Sequence, residues 1–424
     1  MRSDAFPTAT LSDACQLITD GSHFSPTPRE DGPPIVNAKD IPKGRVELAT
    51  CTRISESEWM LLKRQNCSPD PGDVLLSKDG TIGRVVHYKE DLGVVLLSSV
   101  AILRPKEFLA PAFLAHVLRS HVFDQQLFGL QSGSALKRLV LGDIKKIKIP
   151  IPDSDIQNSI AEVLSTLDDA IEQTEALIAK HQQTKAGLMH DLFTRGVTPD
   201  GHLRPTREQA PDLYKESPLG WIPKEWEARP LRDLTIKIAD RDHTTPEYVD
   251  DGVIMVSPTN LFDDEGIDFA ACRNIPLRDH LINRRKTDIE AGDLILHRIG
   301  AGLGAVRLVT DDMPEFSILH SMALVRPLRS AVSAEYLLWS FRSYPVLLQM
   351  DIGTQSIGVP DLGLDKIGSL LFPVAPYGEQ TIIANSLRTQ TEAGSAERNR
   401  LIKLRQQKHG LMHDLLSGKV RVQQ

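Results

Sequence analysis

One hexapeptide occurs twice in this 424-residue chain: Gly187-Leu188-Met189-His190-Asp191-Leu192 returns as Gly410-Leu411-Met412-His413-Asp414-Leu415, a shift of 223 residues. The shift holds without a gap back to Pro150 and Pro373, carrying Gln157 onto Gln380, Ile160 onto Ile383, Ala161 onto Ala384 and Leu164 onto Leu387. At a shift of 220, Leu11, Asp13, Asp20, His23 and Pro26 match Leu231, Asp233, Asp240, His243 and Pro246, and Gly72-Asp73 and Gly80 match Gly292-Asp293 and Gly300. At 222, Ser99, Ala101 and Arg104-Pro105 match Ser321, Ala323 and Arg326-Pro327. Solenoid units repeat every ~20–50 residues. A repeat this long is a whole domain plus a helix, duplicated. Scaffold positions agree while most residues between them differ, so one fold carries two different surfaces. That suits a target presenting two sites.

The expected architecture is α+β: two similar strand-rich mixed α/β domains separated by a pair of long antiparallel coiled-coil helices, with a pseudo-two-fold internal repeat. The boundaries read as a first domain over 1–150, a long helix over 151–194 and a linker over 195–230. A second domain over 231–373 and a second long helix over 374–417 follow. Short apolar, largely β-branched runs such as Val74-Leu75-Leu76, Val85-Val86, Val94-Val95-Leu96-Leu97 and Val100-Ala101-Ile102-Leu103, punctuated by Gly and Asp, predict strands. The second domain repeats them at 253–256 and 294–296. Helical spacing predicts one helix over 111–126 and its twin near 334–348.

From 155 to 193 the period changes. Ile160, Leu164, Leu167, Ile171, Ile178, Leu188 and Leu192 fall on alternating steps of three and four, with Thr174, His181 and Lys185 filling the seam. Asp153 or Ser154 supplies a cap for the helix start. A helix of this length with an apolar seam needs a partner. The second helix offers Ile383, Leu387, Leu401, Leu404, Leu411 and Leu415, but Gln390, Gly394 and Glu397 weaken its first half. The linker aromatics Tyr214, Trp221 and Trp226 are expected to pin it to the second domain or the helices, because exposing them is costly.

Composition excludes several classes. No apolar run approaches the ~18–20 residues of a membrane span, and residues 1–10 lack a signal-peptide core. The four cysteines are isolated, which points to a reducing cytoplasm and against zinc or disulfides. A methyltransferase's Pro-Pro-aromatic loop is missing, since Pro33-Pro34 is followed by Ile35. The only Gly-Lys, Gly418-Lys419, continues with Val420, so there is no phosphate-binding loop. No serine-hydrolase elbow or His-Glu-x-x-His occurs. His190 and His413 suggest a symmetric metal pair, but both sit at helix ends, where local hydrogen bonding explains a histidine better. The reading is of a recognition protein with no catalytic or metal residues.

A net charge of −7 argues mildly against nucleic acid, yet it averages over faces that never meet a ligand. Lys137-Arg138 with Lys145-Lys146-Ile147-Lys148, and Arg278 with Arg284-Arg285-Lys286, are local basic stretches; solvated surface charge accounts for each equally well. Two loop pairs carry the functional expectation. The first is Asp20-Gly21-Ser22-His23-Phe24-Ser25-Pro26 with Asp240-Arg241-Asp242-His243-Thr244-Thr245-Pro246, whose hydroxyls and imidazoles are donors for phosphates and base edges. The second is Lys78-Asp79-Gly80-Thr81-Ile82-Gly83 with Arg298-Ile299-Gly300-Ala301-Gly302-Leu303-Gly304, where glycines permit close backbone approach beside a cation. A hydrogen-bonded turn and a tight hairpin are the competing structural readings. The candidate DNA-contacting set is Ser22, His23, Lys39, Lys78, Thr81, Lys137, Arg138, Arg241, His243, Thr244, Asn260 and Arg298.

Several stretches together resemble the specificity (S) subunits of type I restriction–modification enzymes. They include Lys185-Ala186-Gly187-Leu188-Met189, the segments from Pro150 and Pro373, and Ser217-Pro218-Leu219-Gly220-Trp221-Ile222-Pro223-Lys224-Glu225-Trp226. Pro71-Gly72-Asp73 leading to Gly80-Thr81-Ile82-Gly83, and Asp20-Gly21-Ser22-His23, add to the likeness, which spans nearly the entire chain. The resemblance implies two target recognition domains, each reading half of a split site in double-stranded DNA. The long helices would set the spacing and dock two methylation (M) subunits, with restriction (R) subunits in the full complex. It implies no cofactor in this chain, with S-adenosylmethionine, ATP and magnesium on the partners. The second copy departs from the first at 298–304, which has an extra residue and Ala301 for Thr81. The competing reading is a duplicated-domain scaffold that binds two proteins without DNA readout.

Overall fold

A computed structural model describes residues 6–42, 44–130, 139–244, 246–262, 266–353 and 360–420. The chain divides into two compact units, 1–176 with 398–424, and 177–397. In the first unit a four-stranded antiparallel sheet has the order Cys15–Asp20, Val100–Pro105, Val74–Ser77, Val85–His87. In the second the order is Thr235–Ala239, Met322–Pro327, Leu294–His297, Val306–Leu308. Leu75 lies opposite Ile102, and the equivalent Ile295 opposite Leu324, so the register is repeated along with the residues. Each unit also has a three-stranded sheet with one parallel pairing, Ile35 with Val95 and Ile254 with Phe316.

The unbroken apolar runs are explained by burial on both faces of each four-stranded sheet. Side chains alternate across a strand. Val74, Leu76, Ala101 and Leu103 face one core with Phe113, Leu114 and Leu118, whereas Leu75, Val100 and Ile102 face another with Val36 and Leu96. The second unit does the same: Leu294, Leu296, Ala323 and Val325 join Trp226 and Trp339, while Ile295, Met322 and Leu324 join Val256 and Ile318. Asp73 accepts both guanidinium arms of Arg104 at 2.8 Å and the Asp70 N–H at 2.7 Å. Asp293 repeats this with Arg326 at 2.8 Å and the Glu290 N–H at 2.7 Å. The preceding Gly72 and Gly292 have φ of +96° and +92°, which only glycine adopts without strain.

The two expected single helices are each broken in two, as Pro111–Val117 and His121–Leu130, and as Ala334–Phe341 and Tyr344–Gly353. A serine makes each break. Ser120 Oγ donates to the Val117 carbonyl at 2.6 Å and accepts the Phe123 N–H at 3.4 Å. Ser343 Oγ donates to the Ser340 carbonyl at 2.7 Å. Short hydroxyl side chains compete with helix hydrogen bonds in this way, and the apolar periodicity ran across both breaks without showing them.

The long helices are Ser154–Thr194, which begins in the first unit and ends in the second, and Tyr377–Leu416, which does the reverse. At 41 residues the first is about 60 Å long at ~1.5 Å per residue. In the first unit Ile160, Ala161 and Leu164 are buried with Leu415 and Leu416, followed by Lys408 on Asp168 and Arg405 on Glu175 at 2.7 Å. In the second, Leu192 and Phe193 are buried with Ile383, Ala384 and Leu387, and Gln390 donates to His181 at 3.0 Å. Rising numbers on one helix meet falling numbers on the other, so the pairing within each unit is antiparallel. Leu167, Ile171, Ile178, Leu188, Leu401, Leu404 and Leu411 are half-buried along the seam. The weak stretch is accommodated by polar and small contacts: a Cβ on Gly394 would lie 3.6 Å from that of His181, leaving room for Gln390 to bind the imidazole.

Helix starts are fastened alike. Gln157 donates to the Phe108 and Pro152 carbonyls at 2.9 and 2.8 Å and accepts the Ala110 N–H at 2.8 Å. Gln380 donates to the Ala331 and Ala375 carbonyls at 3.2 and 2.9 Å and accepts the Ser333 N–H at 2.9 Å. In the linker, Trp226 is fully buried and the Tyr214 hydroxyl donates to the Pro205 carbonyl at 2.5 Å. Trp221, expected to be buried, is instead 43% exposed, with Arg207 stacked 4.2 Å from its ring centroid. The guanidinium supplies there the cover that a core would otherwise give. Among the described residues no helix is long and apolar enough to cross a membrane.

Candidate nucleic-acid interface

The two loops singled out in each half come together at one edge of its four-stranded sheet. Asp20 ends one strand and Lys78 follows another; the Gly21 and Lys78 N–H groups donate to the Val100 and Ser99 carbonyls at 3.2 and 2.9 Å, which brings the loops level. Lys78 Nζ then lies 3.1 Å from Asp20 Oδ2, and His23 Nε2 lies 3.4 Å from the same oxygen. Lys78 is 2% exposed and the His23 side chain 66%. In the second unit Arg298 Nη2 lies 2.5 Å from Asp240 Oδ2, with His243 Nε2 3.4 Å from that oxygen and 3.1 Å from Arg298 Nη2. Arg298 Nη1 adds Asp361 at 2.9 Å. A buried cation needs a charged partner. Here one carboxylate both neutralises it and holds an outward-facing imidazole.

The glycine turns are fastened from beneath. Ser77 Oγ donates to the Thr81 carbonyl at 2.5 Å and accepts the Arg84 N–H at 2.9 Å. At the equivalent position, the ring nitrogens of His297 approach the Gly302 and Ile299 carbonyls at 2.9 and 2.7 Å. This larger side chain supports the longer second loop. Gly80 and Gly83 have φ of +72° and +91°, and nothing lies within 4 Å of where a Gly80 Cβ would be.

The candidate set therefore divides. His23, Lys39, Thr81, His243 and Thr244 are exposed. Ser22, Lys78, Arg241, Asn260 and Arg298 are buried and face inward. Ser22 Oγ donates to the Phe24 carbonyl at 2.8 Å and accepts its N–H at 3.1 Å. Arg241 Nη2 donates to the Thr244 carbonyl and hydroxyl at 2.9 and 2.7 Å. Asn260 Oδ1 accepts the Ser257 N–H at 2.9 Å. Lys39, on the turn Ala38–Asp40, donates its backbone N–H to Asn37 Oδ1 at 2.8 Å. Lys137 and Arg138 lie outside the described residues. Residue-type reasoning missed Phe24, 65% exposed beside His23, and the central part of Asp20 and Asp240. The aspartates' joint recurrence with the histidines was the available signal.

Of the second basic stretch, Arg278 pairs with Glu247 at 2.6 Å, Arg284 with Glu315 at 3.0 Å, and Lys286 with Asp242. Among the described residues no cluster of His, Cys, Asp or Glu is arranged to hold a metal. A groove of about 800 Å³ in the first unit holds an unforeseen group: His116 Nε2 lies 3.0 Å from Ser165 Oγ, with Asp168 on the far side. The order matches a hydrolytic triad, but the geometry does not. Asp168 Oδ2 is 3.9 Å from His116 Nδ1, beyond hydrogen bonding, and lies 3.3 Å from Arg119 Nη1.

Burial, aided by Arg119, pushes the His116 pKa down from 6.5 to about 4. As pH falls from 6.5 to 4 the unfolded chain binds the proton before the folded one, so stability falls with pH across that window. The full loss is about 3 kcal/mol at ~1.36 kcal/mol per pK unit. Urea midpoints at pH 7.5 and 5 should show it, and His116→Gln should flatten the difference.

Against this geometry, residues 8–180 match the model of the type I restriction modification DNA specificity domain. A putative type I restriction enzyme MjaX specificity subunit from Methanocaldococcus jannaschii is 23% identical over 430 residues, covering 97% of this chain and 93% of that one. The chain thus carries a match to that specificity domain over 8–180 and is similar along nearly its whole length to a type I specificity subunit. The EcoBI specificity subunit of Escherichia coli is 30% identical over 189 residues, which are 43% of this chain and 38% of its own length. The fold is that of a solved family structure, the S subunit from M. genitalium, with a TM-score of 0.63 and 14% identity over 98% of this chain and 97% of that one. A chain from a type I restriction–modification system studied for complex assembly and conformational transition has a TM-score of 0.53 at 16% identity, over 98% and 99%.

Proposed function

We propose that each unit of this specificity subunit reads one half of an asymmetric, split site in double-stranded DNA. The long helices set the gap between the half-sites and dock two methylation subunits. The observation that carries this is the duplicated carboxylate–cation–imidazole group, set on matching sheets among unlike neighbours. In each unit it presents a held imidazole beside an open glycine turn, a donor at low entropic cost for a phosphate or base edge. The chain works without catalysis or cofactor of its own. S-adenosylmethionine belongs to the methylation subunits, and ATP and magnesium to restriction subunits where these join; the complex is cytoplasmic.

Exchanging residues 1–150 for the matching domain of another specificity subunit is expected to change one half-site and keep the other. A change in both halves counts against independent reading. His23→Ala should weaken discrimination at one half-site by about 1–3 kcal/mol, the usual worth of a specific contact. Its thermal midpoint should be unchanged, because the ring is two-thirds exposed. Affinity of the assembled complex should fall steeply with salt. A complex indifferent to salt and sequence would favour a protein-binding scaffold.

A further inference from the structure

The second unit holds a group of donors that its own hydrogen bonds do not use. Arg241 is 5% exposed, yet its Nε and Nη1 have no partner; only Nη2 is engaged, on Thr244. Arg298 Nε and His320 Nδ1 are likewise buried without partners. His320 stacks on His243 with centroids 4.9 Å apart. Burial first, then His243, Arg241 and Arg298, hold its pKa below the ordinary value, and His243 Nε2 in turn lies 3.1 Å from Arg298 Nη2. The nearby carboxylates are largely committed elsewhere: Asp240 and Asp361 to Arg298, and Asp242 to Lys286. Burial outweighs the influence of Tyr248, Asp242 and Asp279 on Arg241.

Buried N–H groups in native proteins are nearly always satisfied, and a run of free ones on adjacent cations marks a place for an acceptor. Among the described residues, the corresponding positions of the first unit offer no such place. Arg241, His320 and Arg298 correspond there to Gly21, Ser98 and Lys78. A Cβ on Gly21 would sit 2.1 Å from the Leu96 carbonyl oxygen, so no side chain fits that position.

We propose that Arg241, with Arg298 and His320, forms an oxyanion seat unique to the second unit, whose occupant is a backbone phosphodiester of the bound DNA. The assignment rests on the DNA-reading function proposed above and deepens it. The exposed loop residues 242–244 form the mouth of the seat, and the phosphate oxygens accept from Arg241 Nε and Nη1 once the loop admits them. Phosphate is favoured over a base edge because every lining donor is cationic or titratable and the local carboxylates are occupied. The two units then contribute unequally, the second anchoring the duplex and the first depending more on its exposed His23.

Two measurements on the full chain test this. The first is thermal unfolding against inorganic phosphate at constant ionic strength. The wild-type midpoint should rise with phosphate, Arg285→Gln should keep the rise, and Arg241→Gln should lose it; no rise in the wild type overturns the seat. The second is binding of duplex DNA by the native complex across a salt series, for matched and scrambled sequences. Arg241→Gln should make the slope of log K against log salt shallower by about 0.9, equally for both sequences. An unchanged slope, with phosphate response lost, means a free-anion site and overturns the DNA assignment, as does a loss confined to one base position. If the wild-type complex shows no salt-dependent DNA binding, the proposed function fails, while the phosphate titration still judges the seat. Should Arg241→Gln misfold, His320→Gln is the second variant, with the same expected directions.

Discussion

Glu379→Ala is expected to destabilise the second unit by about 3–5 kcal/mol, because it strips the hydrogen-bonded carboxylate from a buried arginine and leaves it only the more exposed Glu225 at 3.8 Å among the described residues. Glu379 takes both arms of Arg204, at 2.5 and 2.9 Å, and also accepts the Val197 N–H at 2.8 Å. Both side chains are buried. This one carboxylate therefore ties two points of the linker to the start of the second long helix. Gly196 lies against the pair with φ +63°, and a Cβ there would stand 2.2 Å from Glu379 Oε1 and 2.7 Å from Trp226 Cζ2. Gly196→Ala should damage the same joint by a different route. Urea unfolding followed by tryptophan fluorescence reports it, since Trp226 and Trp339 sit in that core. Replacing both partners, as Arg204→Met with Glu379→Met, should recover much of the loss, because the cost comes from the unpaired charge. A double variant as weak as Glu379→Ala would contradict this.

Asp20→Ala should be comparably severe, at about 3–5 kcal/mol, and should also erase reading by the first unit. Among the described residues it leaves Lys78, 2% exposed, with only Asp79 at 3.6 Å, and it frees His23 from its fixed bearing. The two consequences separate in the double variant Asp20→Ala with Lys78→Met. Removing the buried charge should restore the denaturation midpoint, while sequence discrimination stays lost because the imidazole remains unheld. Recovery of both stability and discrimination would show that Asp20 serves the fold alone. From the sequence Lys78 had the chemistry of a phosphate contact, but in the fold it is buried against Asp20. Its neighbours decide its use, and they lie two strands away in the sheet.

Much of the architecture was legible because it depends on local periodicity and on the duplication. The seam from Ile160 to Leu192 needed only a count of threes and fours, and the run Val74-Leu75-Leu76 only its short unbroken apolar character between Gly72-Asp73 and Gly80. The helix breaks at Ser120 and Ser343 were hidden because apolar spacing continues through them. A serine's choice between continuing and capping depends on tertiary contacts. The site was half legible. The recurrence of Asp20 and His23 as Asp240 and His243 marked the two loops that each sheet brings together. Which residues point outward followed from the strand order that sets Asp20 beside Lys78, and one dimension of sequence does not contain that pairing.

The most direct measurement of the central claim is methylome sequencing of cells carrying this chain with its methylation subunit. Two unlike half-sites separated by a constant gap, each holding one methylated adenine, are the predicted result. A continuous or palindromic motif would contradict it.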